Sequence, residues 1–376
     1  MNKILIITFL FFSLKSYGQS ITVNYDLDTT VFKVSEPLNL WIDFLKTKDD
    51  SLGSQYWSTK EVKKYGSKSY FLIEKELQFG MNNFLELLSY SDIKVLSIKR
   101  IDKYFKITSI MEFKPKNETS NVNYIFHVYA GKENGSLKLF NPLEINTKLY
   151  LNSTNIGYIN YHYPKYHIFN YELAKKQHDY LVKLSKNFQV NINPVDFYFA
   201  NTYGELLKIR GFDFLIGNSG EEIPSGKADP ENRIVYTSGV GEYYPHELIH
   251  FLLNPHYKNC HLWINEGVAT YFGMSRGKTL DWHLKKLNQT LLKHPEINLN
   301  NMLELKTLDQ FTEYRYVLGG YVIQKVFEKG GYDLVKKMML AGKNDTDFYN
   351  AIEKYLNIPR TDLNKTIRKE LNEKYN

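Results

Sequence analysis

The stretch Pro245-His-Glu-Leu-Ile-His-Phe-Leu-Leu253 constrains the fold of this chain more than any other. A helix through these residues carries Leu248, Ile249, Phe251, Leu252 and Leu253 around most of its circumference, so it must be buried. His246 and His250 stand four apart and share one face, which lets both imidazoles reach a single point. Glu247 lies about 100° round the axis from His246, near that point but off the shared face. Burying three such groups without partners would be costly. The pattern H-E-x-x-H therefore predicts a metal held by two neutral imidazoles, with Glu247 beside an open coordination position as a base and not as a ligand. Zinc suits two imidazoles and one carboxylate with the fourth position left to water.

Three residues are candidates for the next ligand: His256, His261 and Glu266. His256 follows His250 by six residues, and an unbroken helix would carry it away from the ion. The metzincin pattern H-E-x-x-H-x-x-G-x-x-H solves this with a glycine at a sharp turn, and Met274 could mimic the later methionine of that group. Here Leu253 occupies the glycine position, where left-handed backbone is strained, although Asn254-Pro255 can end the helix just afterwards. Nothing in the pattern favours His261.

The segment "WINEGVATY" (Trp263 to Tyr271) resembles the W-L-N-E-G-x-A-x-Y segment of M1-type aminopeptidases, which are gluzincins of the MA peptidase clan. The resemblance implies that Glu266 is the third ligand. It is physically feasible: the chain turns at Asn254-Pro255 and returns as a second helix, with Gly267 and Ala269 allowing close approach. Downstream, "YVLGGYVIQKVFEKGG" (Tyr316 to Gly331) resembles the Y-x-K-G-x-x-v-l-x-x-L…G segment of the same group. That resemblance implies that the Tyr316 hydroxyl stabilises an oxyanion, with Tyr314 and Tyr321 as alternatives, and that Gly319 matches the glycine. The chain departs from the family in a shorter connector between His250 and Glu266, in Leu318 where the family has lysine, and in lacking the G-x-M-E-N element that binds a substrate's amino terminus. "DPEN" (Asp229 to Asn232) keeps only Glu-Asn of it. The implied activity is peptide-bond hydrolysis of a peptide or protein substrate, with endo- and aminopeptidase action both open. The alternative is a catalytically silent, peptidase-like binding protein that keeps its zinc.

The rest of the chain frames this site. Lys3 precedes an apolar run from Ile4 to Leu14, and Ser16 and Gly18 stand at −3 and −1 of a cut before Gln19. Residues 1–18 are thus expected to be a secretory signal peptide, with the mature protein secreted or periplasmic. The run is too short to span a bilayer, no cysteine follows the cut to carry a lipid, and no integral membrane segment is expected in the mature chain. Cys260 is the only cysteine, which excludes an internal disulfide and a Cys-rich structural zinc site. The net charge of +7 comes from 48 basic and 41 acidic residues without a dense basic tract, so nucleic acid is not an expected partner.

The expected fold class is α+β, in two domains. Residues 19–165 should form an N-terminal domain of unknown role: a helix with Ser35 as its cap, a second helical stretch from Phe71 to Leu88, then an antiparallel meander through Ile93–Phe113, Asn121–Ala130 and Ser136–Phe140. Residues 166–376 should form a thermolysin-like, gluzincin catalytic domain, a small sheet followed by a helical half. "VDFYFA", "FDFLIG" and "RIVYTSG" are its expected strands, the last as an edge able to pair with an extended substrate. The Tyr-rich stretch Tyr158 to Tyr171, with His162 and His167, is expected to be a strand and connector and not a ligand platform.

Overall fold

The computed structural model describes residues 21–24, 33–47, 50–67, 70–77, 91–113, 121–218 and 222–375. The expected signal peptide, and the later part of the helix expected over Phe71 to Leu88, lie outside them. The strands in chain order are β1 (Ile21–Val23), β2 (Ser91–Ile101), β3 (Tyr104–Phe113), β4 (Asn121–Glu133), β5 (Ser136–Phe140), β6 (Leu151–Ile156), β7 (Ile159–Pro164), β8 (Val195–Ala200), β9 (Phe212–Leu215), β10 (Ser225–Asp229), β11 (Ile234–Ser238), β12 (Thr307–Asp309) and β13 (Thr312–Glu313). The helices longer than one or two turns are α1 (Ser35–Lys46), α2 (Pro142–Tyr150), α3 (Tyr171–Phe188), α4 (Tyr203–Arg210), α5 (Pro245–Leu253), α6 (Leu262–Phe272), α7 (Leu280–Lys293), α8 (Tyr314–Met339), α9 (Asp345–Leu356) and α10 (Leu363–Tyr375). This is a mixed α+β chain, in two compact units. Among the described residues no helix is long and apolar enough to cross a membrane.

The first unit takes in the described residues up to Pro142 together with Gly211–Asn218. Its sheet runs β1-β2-β3-β4-β5, with β9 also on β4. Pairing is antiparallel except for β1 on β2. Asn134-Gly135 closes the β4–β5 hairpin with both φ values positive, the geometry that matches strand twist. Trp41 of α1 is fully buried, donates its indole N–H to Ser109 Oγ on β3 at 3.0 Å and packs against Phe44, Phe71 and Phe126. Ser35 is the first residue of α1 and not its cap: Val34 takes that position, and no side chain caps the helix. Within Phe71 to Leu88 the described residues hold one helical turn, Glu74–Leu77.

The second unit comprises Leu143–Arg210 and Ser219–Asn376. Its sheet has the order β10-β11-β8-β7-β6. β6 and β7 precede the boundary expected after residue 165, yet belong here because β7 lies parallel beside β8. "FDFLIG" behaves differently from expectation: it forms β9 on the other unit's strand β4, with Asp213 and Phe214 exposed. "RIVYTSG" also differs. Its strand β11 is paired on both sides, antiparallel to β10 and parallel to β8, and wholly buried. The edge is β10, whose pairing partner is not encoded in its own polar sequence. In the Tyr-rich stretch, Tyr161 packs on Phe169 and Phe197. On the opposite face of β7, His162 stacks on Tyr198 and faces Asp196. These are packing contacts.

The helical half begins at α5. Thr279 caps α7, and α8 is broken at Gly330-Gly331, where the backbone leaves helical geometry. A short hairpin, β12–β13, interrupts the expected run of helices just before α8. The closest helix pairing is between α6 and α8. A Cβ on Gly267 would lie 2.4 Å from the carbonyl carbon and oxygen of Gly319, and a Cβ on Gly319 would lie 2.2 Å from the Trp263 carbonyl oxygen. The two backbones therefore touch, and no side chain can rotate away to make room. Gly267→Ala should lower stability by about 1–3 kcal/mol, the usual range for overpacking a core. It should appear as a lower urea midpoint at unchanged slope.

Candidate metal centre

Pro245 opens α5 at a position where its missing N–H is no loss, and all nine residues of the helix are buried. The helix ends at Leu253. Asn254 stays right-handed at φ −58°, and the Leu253 carbonyl accepts from the N–H groups of His256 and Tyr257. The sharp left-handed turn needed to bring His256 back does not form, and His256 is exposed. His261 is buried but occupied: its Nδ1 accepts from the Trp263 N–H at 3.2 Å, capping α6, while Nε2 faces Asp345 at 3.3 Å. With α6 started there, Glu266 falls one turn further on.

His246, His250 and Glu266 converge. Nε2 of His246 and Nε2 of His250 are 3.2 Å apart, and each lies 3.3 Å from the same oxygen, Glu266 Oε2. Among the described residues this is the one group of three or more His, Cys, Asp or Glu side chains that closes to metal-binding distance. The triangle fits zinc. A tetrahedron with metal–ligand bonds of about 2.0–2.1 Å has edges of about 3.3–3.4 Å, close to the three distances found.

The outer nitrogen of His246 is arranged to support this. His246 Nδ1 donates to the Met274 carbonyl at 2.6 Å, which leaves its Nε2 as the lone-pair side of the neutral ring. The contact that Met274 makes with the cluster is through its backbone carbonyl. Nδ1 of His250 and the carboxamide oxygen of Asn254 are both buried without a partner at hydrogen-bonding geometry. They sit one helical turn apart, close enough for the amide to favour a protonated ring. Burial alone would raise the Glu266 carboxyl, but hydrogen bonds and charge from His246 and His250 hold it far below the usual carboxylate range. Burial alone would lower His250, but the bond and charge of Glu266 outweigh it and raise the imidazole.

Glu247 is buried beside the triangle and outside it. It leans on the edge strand: a Cβ on Gly226 of β10 would sit 2.4 Å from Glu247 Cγ and 2.7 Å from its Oε1. Gly226 is itself exposed, so the strand edge next to Glu247 faces solvent.

Tyr316, in the first turn of α8, packs its ring edge-on to His246 with centroids 5.9 Å apart. Burial, then the charges of Glu266 and Glu313, push its phenol up to about 12. Among the described residues its hydroxyl has one hydrogen-bond partner, Arg315, whose Nη2 donates to it at 3.4 Å. The alternatives point elsewhere. Tyr321 donates to Glu370 at 2.8 Å, and the charge felt by Tyr314 is that of Arg368. "DPEN" stays out of the cluster: Asn232 closes back on Asp229 through its backbone N–H and its side-chain amide.

No protein-family model and no curated protein matches this chain. The parts played by Gly226, Arg315 and the Met274 carbonyl have no signal in the sequence beyond a glycine inside the short segment "SGKAD", the kind of position that marks a close approach. Metal analysis separates the three ligand candidates. Glu266→Ala should lose bound zinc after dialysis, whereas His256→Ala and His261→Asn should retain it at the level of the unaltered protein.

Proposed function

We propose that this chain is an exported zinc metallopeptidase of the gluzincin type, its second unit being the catalytic domain. The observation that carries this reading is the convergence of His246, His250 and Glu266 on one point, with Glu247 near His250 and the Tyr316 ring against His246. Export rests on the charged, apolar and small-residue pattern of residues 1–18. His246, His250 and Glu266 would hold a zinc ion, which would supply Lewis-acid polarisation of a carbonyl and a water that ionises at ~7.

The side chains supply the rest. Glu247, buried beside the ligands, takes the proton of the attacking water and delivers it to the leaving amine. Tyr316 has its hydroxyl proton uncommitted and donates it to the oxygen on which negative charge develops. The exposed edge of β10 offers backbone N–H and C=O groups to an extended peptide. Gly226 brings that edge against Glu247 without a side chain in between, so a bound peptide's scissile bond passes close to the base.

Hydrolysis of a casein or peptide pool by the purified mature protein, with and without chelator, tests the reading. Glu247→Gln should retain zinc and lose about 10²-fold or more in turnover. A protein that holds zinc, binds peptides and cleaves none of them would instead be a binding protein. Tyr316→Phe should keep zinc and lower kcat by about 10²–10³. Gly226→Ala should also keep zinc while lowering kcat, because the added methyl displaces the base and not the ligands.

A further inference from the structure

We propose that Arg315 is a positioning residue for Tyr316: by donating to the phenol oxygen and occupying Glu313, it keeps the phenol proton free for the reacting oxygen. This rests on the peptidase reading above.

A phenol hydroxyl has one proton to give and an oxygen that also accepts, whereas a guanidinium can only donate. The Arg315 contact therefore fixes Tyr316 as the acceptor on that side and turns its proton elsewhere. Arg315 is itself held. Its Nη2 lies 2.7 Å from Glu313 Oε2, and its guanidinium carbon is 5.1 Å from the Tyr316 ring centre. Glu313 occupies the N-cap position of α8 but makes no capping bond. Its other oxygen faces Arg276 at 3.7 Å, and Arg276 is in turn anchored to the Pro224 carbonyl at 3.2 Å. Two arginines thus cover the two oxygens of one carboxylate.

Glu313 and Tyr316 are three residues apart, within reach of one another on a helix end. With Arg315 absent, Oε2 of Glu313 is uncovered beside the phenol. A hydroxyl donating to a carboxylate makes a short, charge-assisted bond. The proton would then turn to Glu313 and be lost to the reaction.

The test uses the zinc-loaded full chain and the best-cleaved peptide of the pool. Arg315→Met should lower kcat by about 10-fold or more, towards the loss seen on removing a whole oxyanion donor, with KM and zinc content unchanged. Adding Glu313→Gln should recover most of that loss, Arg315→Lys should retain part of the rate, and Arg315→Met should cost nothing further in a Tyr316→Phe background. Equal losses in both backgrounds, or no recovery with Glu313→Gln, overturn the proposal. A second arm needs no substrate. With 3-fluorotyrosine at position 316, the ¹⁹F resonance should move in Arg315→Met and return towards its native position when Glu313→Gln is added; an unmoved resonance also overturns it. Should the unaltered protein cleave nothing while the resonance moves as expected, the peptidase reading fails and the hydrogen-bond arrangement stands.

Discussion

The contact between Gly267 of α6 and Gly319 of α8 is the constraint on which the site depends. Glu266 immediately precedes one of these glycines, and Tyr316 stands one turn before the other. Because the backbones meet with no side chain between them, neither helix can slide or roll without a steric clash. Protein interiors are packed too tightly to absorb such a shift. The same contact therefore sets where the carboxylate and the phenol stand relative to one another. Placed loosely, by side chains that could change rotamer, three ligand atoms would not hold separations of 3.2–3.3 Å.

Around that contact, burial and pairing oppose one another. Desolvation disfavours every charged form in the cluster, and it is overruled only where a partner lies within hydrogen-bonding distance. Glu266 stays ionised because two imidazoles reach it. The Tyr316 phenol, with burial and two nearby carboxylates acting together, is pushed up instead and keeps its proton. One pocket thus holds an anion suited to a cation and a neutral donor suited to a developing negative charge. Cys260, partly buried, has its thiol pushed up to about 12 by burial.

Much of this was legible in the chain because it is local. H-E-x-x-H places two imidazoles on one helix face by periodicity alone, and Leu253 at the glycine position already argued against the sharp turn that His256 would need. The meander of β2 to β5 follows from alternation and from turns at Asp102 and Asn134-Gly135. Where the structure differs from expectation, one reason is local and the other is long-range pairing. Ser35 looked like a cap, yet the helix starts one residue earlier. "FDFLIG" and "RIVYTSG" were both readable as strands, but which neighbour each pairs with depends on residues far away in sequence.

The amino-acid sequence by itself therefore determined the chemistry: two histidines and a glutamate at helical spacing, a second helix carrying Glu266, and a tyrosine ahead of a glycine. Tertiary structure alone decided which of the candidate groups meet. It took His256 out to solvent and gave His261 to a helix cap. It turned the Met274 carbonyl to His246, set Gly226 against Glu247, and placed Arg315 between Tyr316 and Glu313. The His261 cap and the Arg315 contacts are local, whereas the Met274 and Gly226 contacts join segments well separated in the chain. The geometry of these last two is fixed by packing and pairing across the fold, and no local pattern of residue types encodes it.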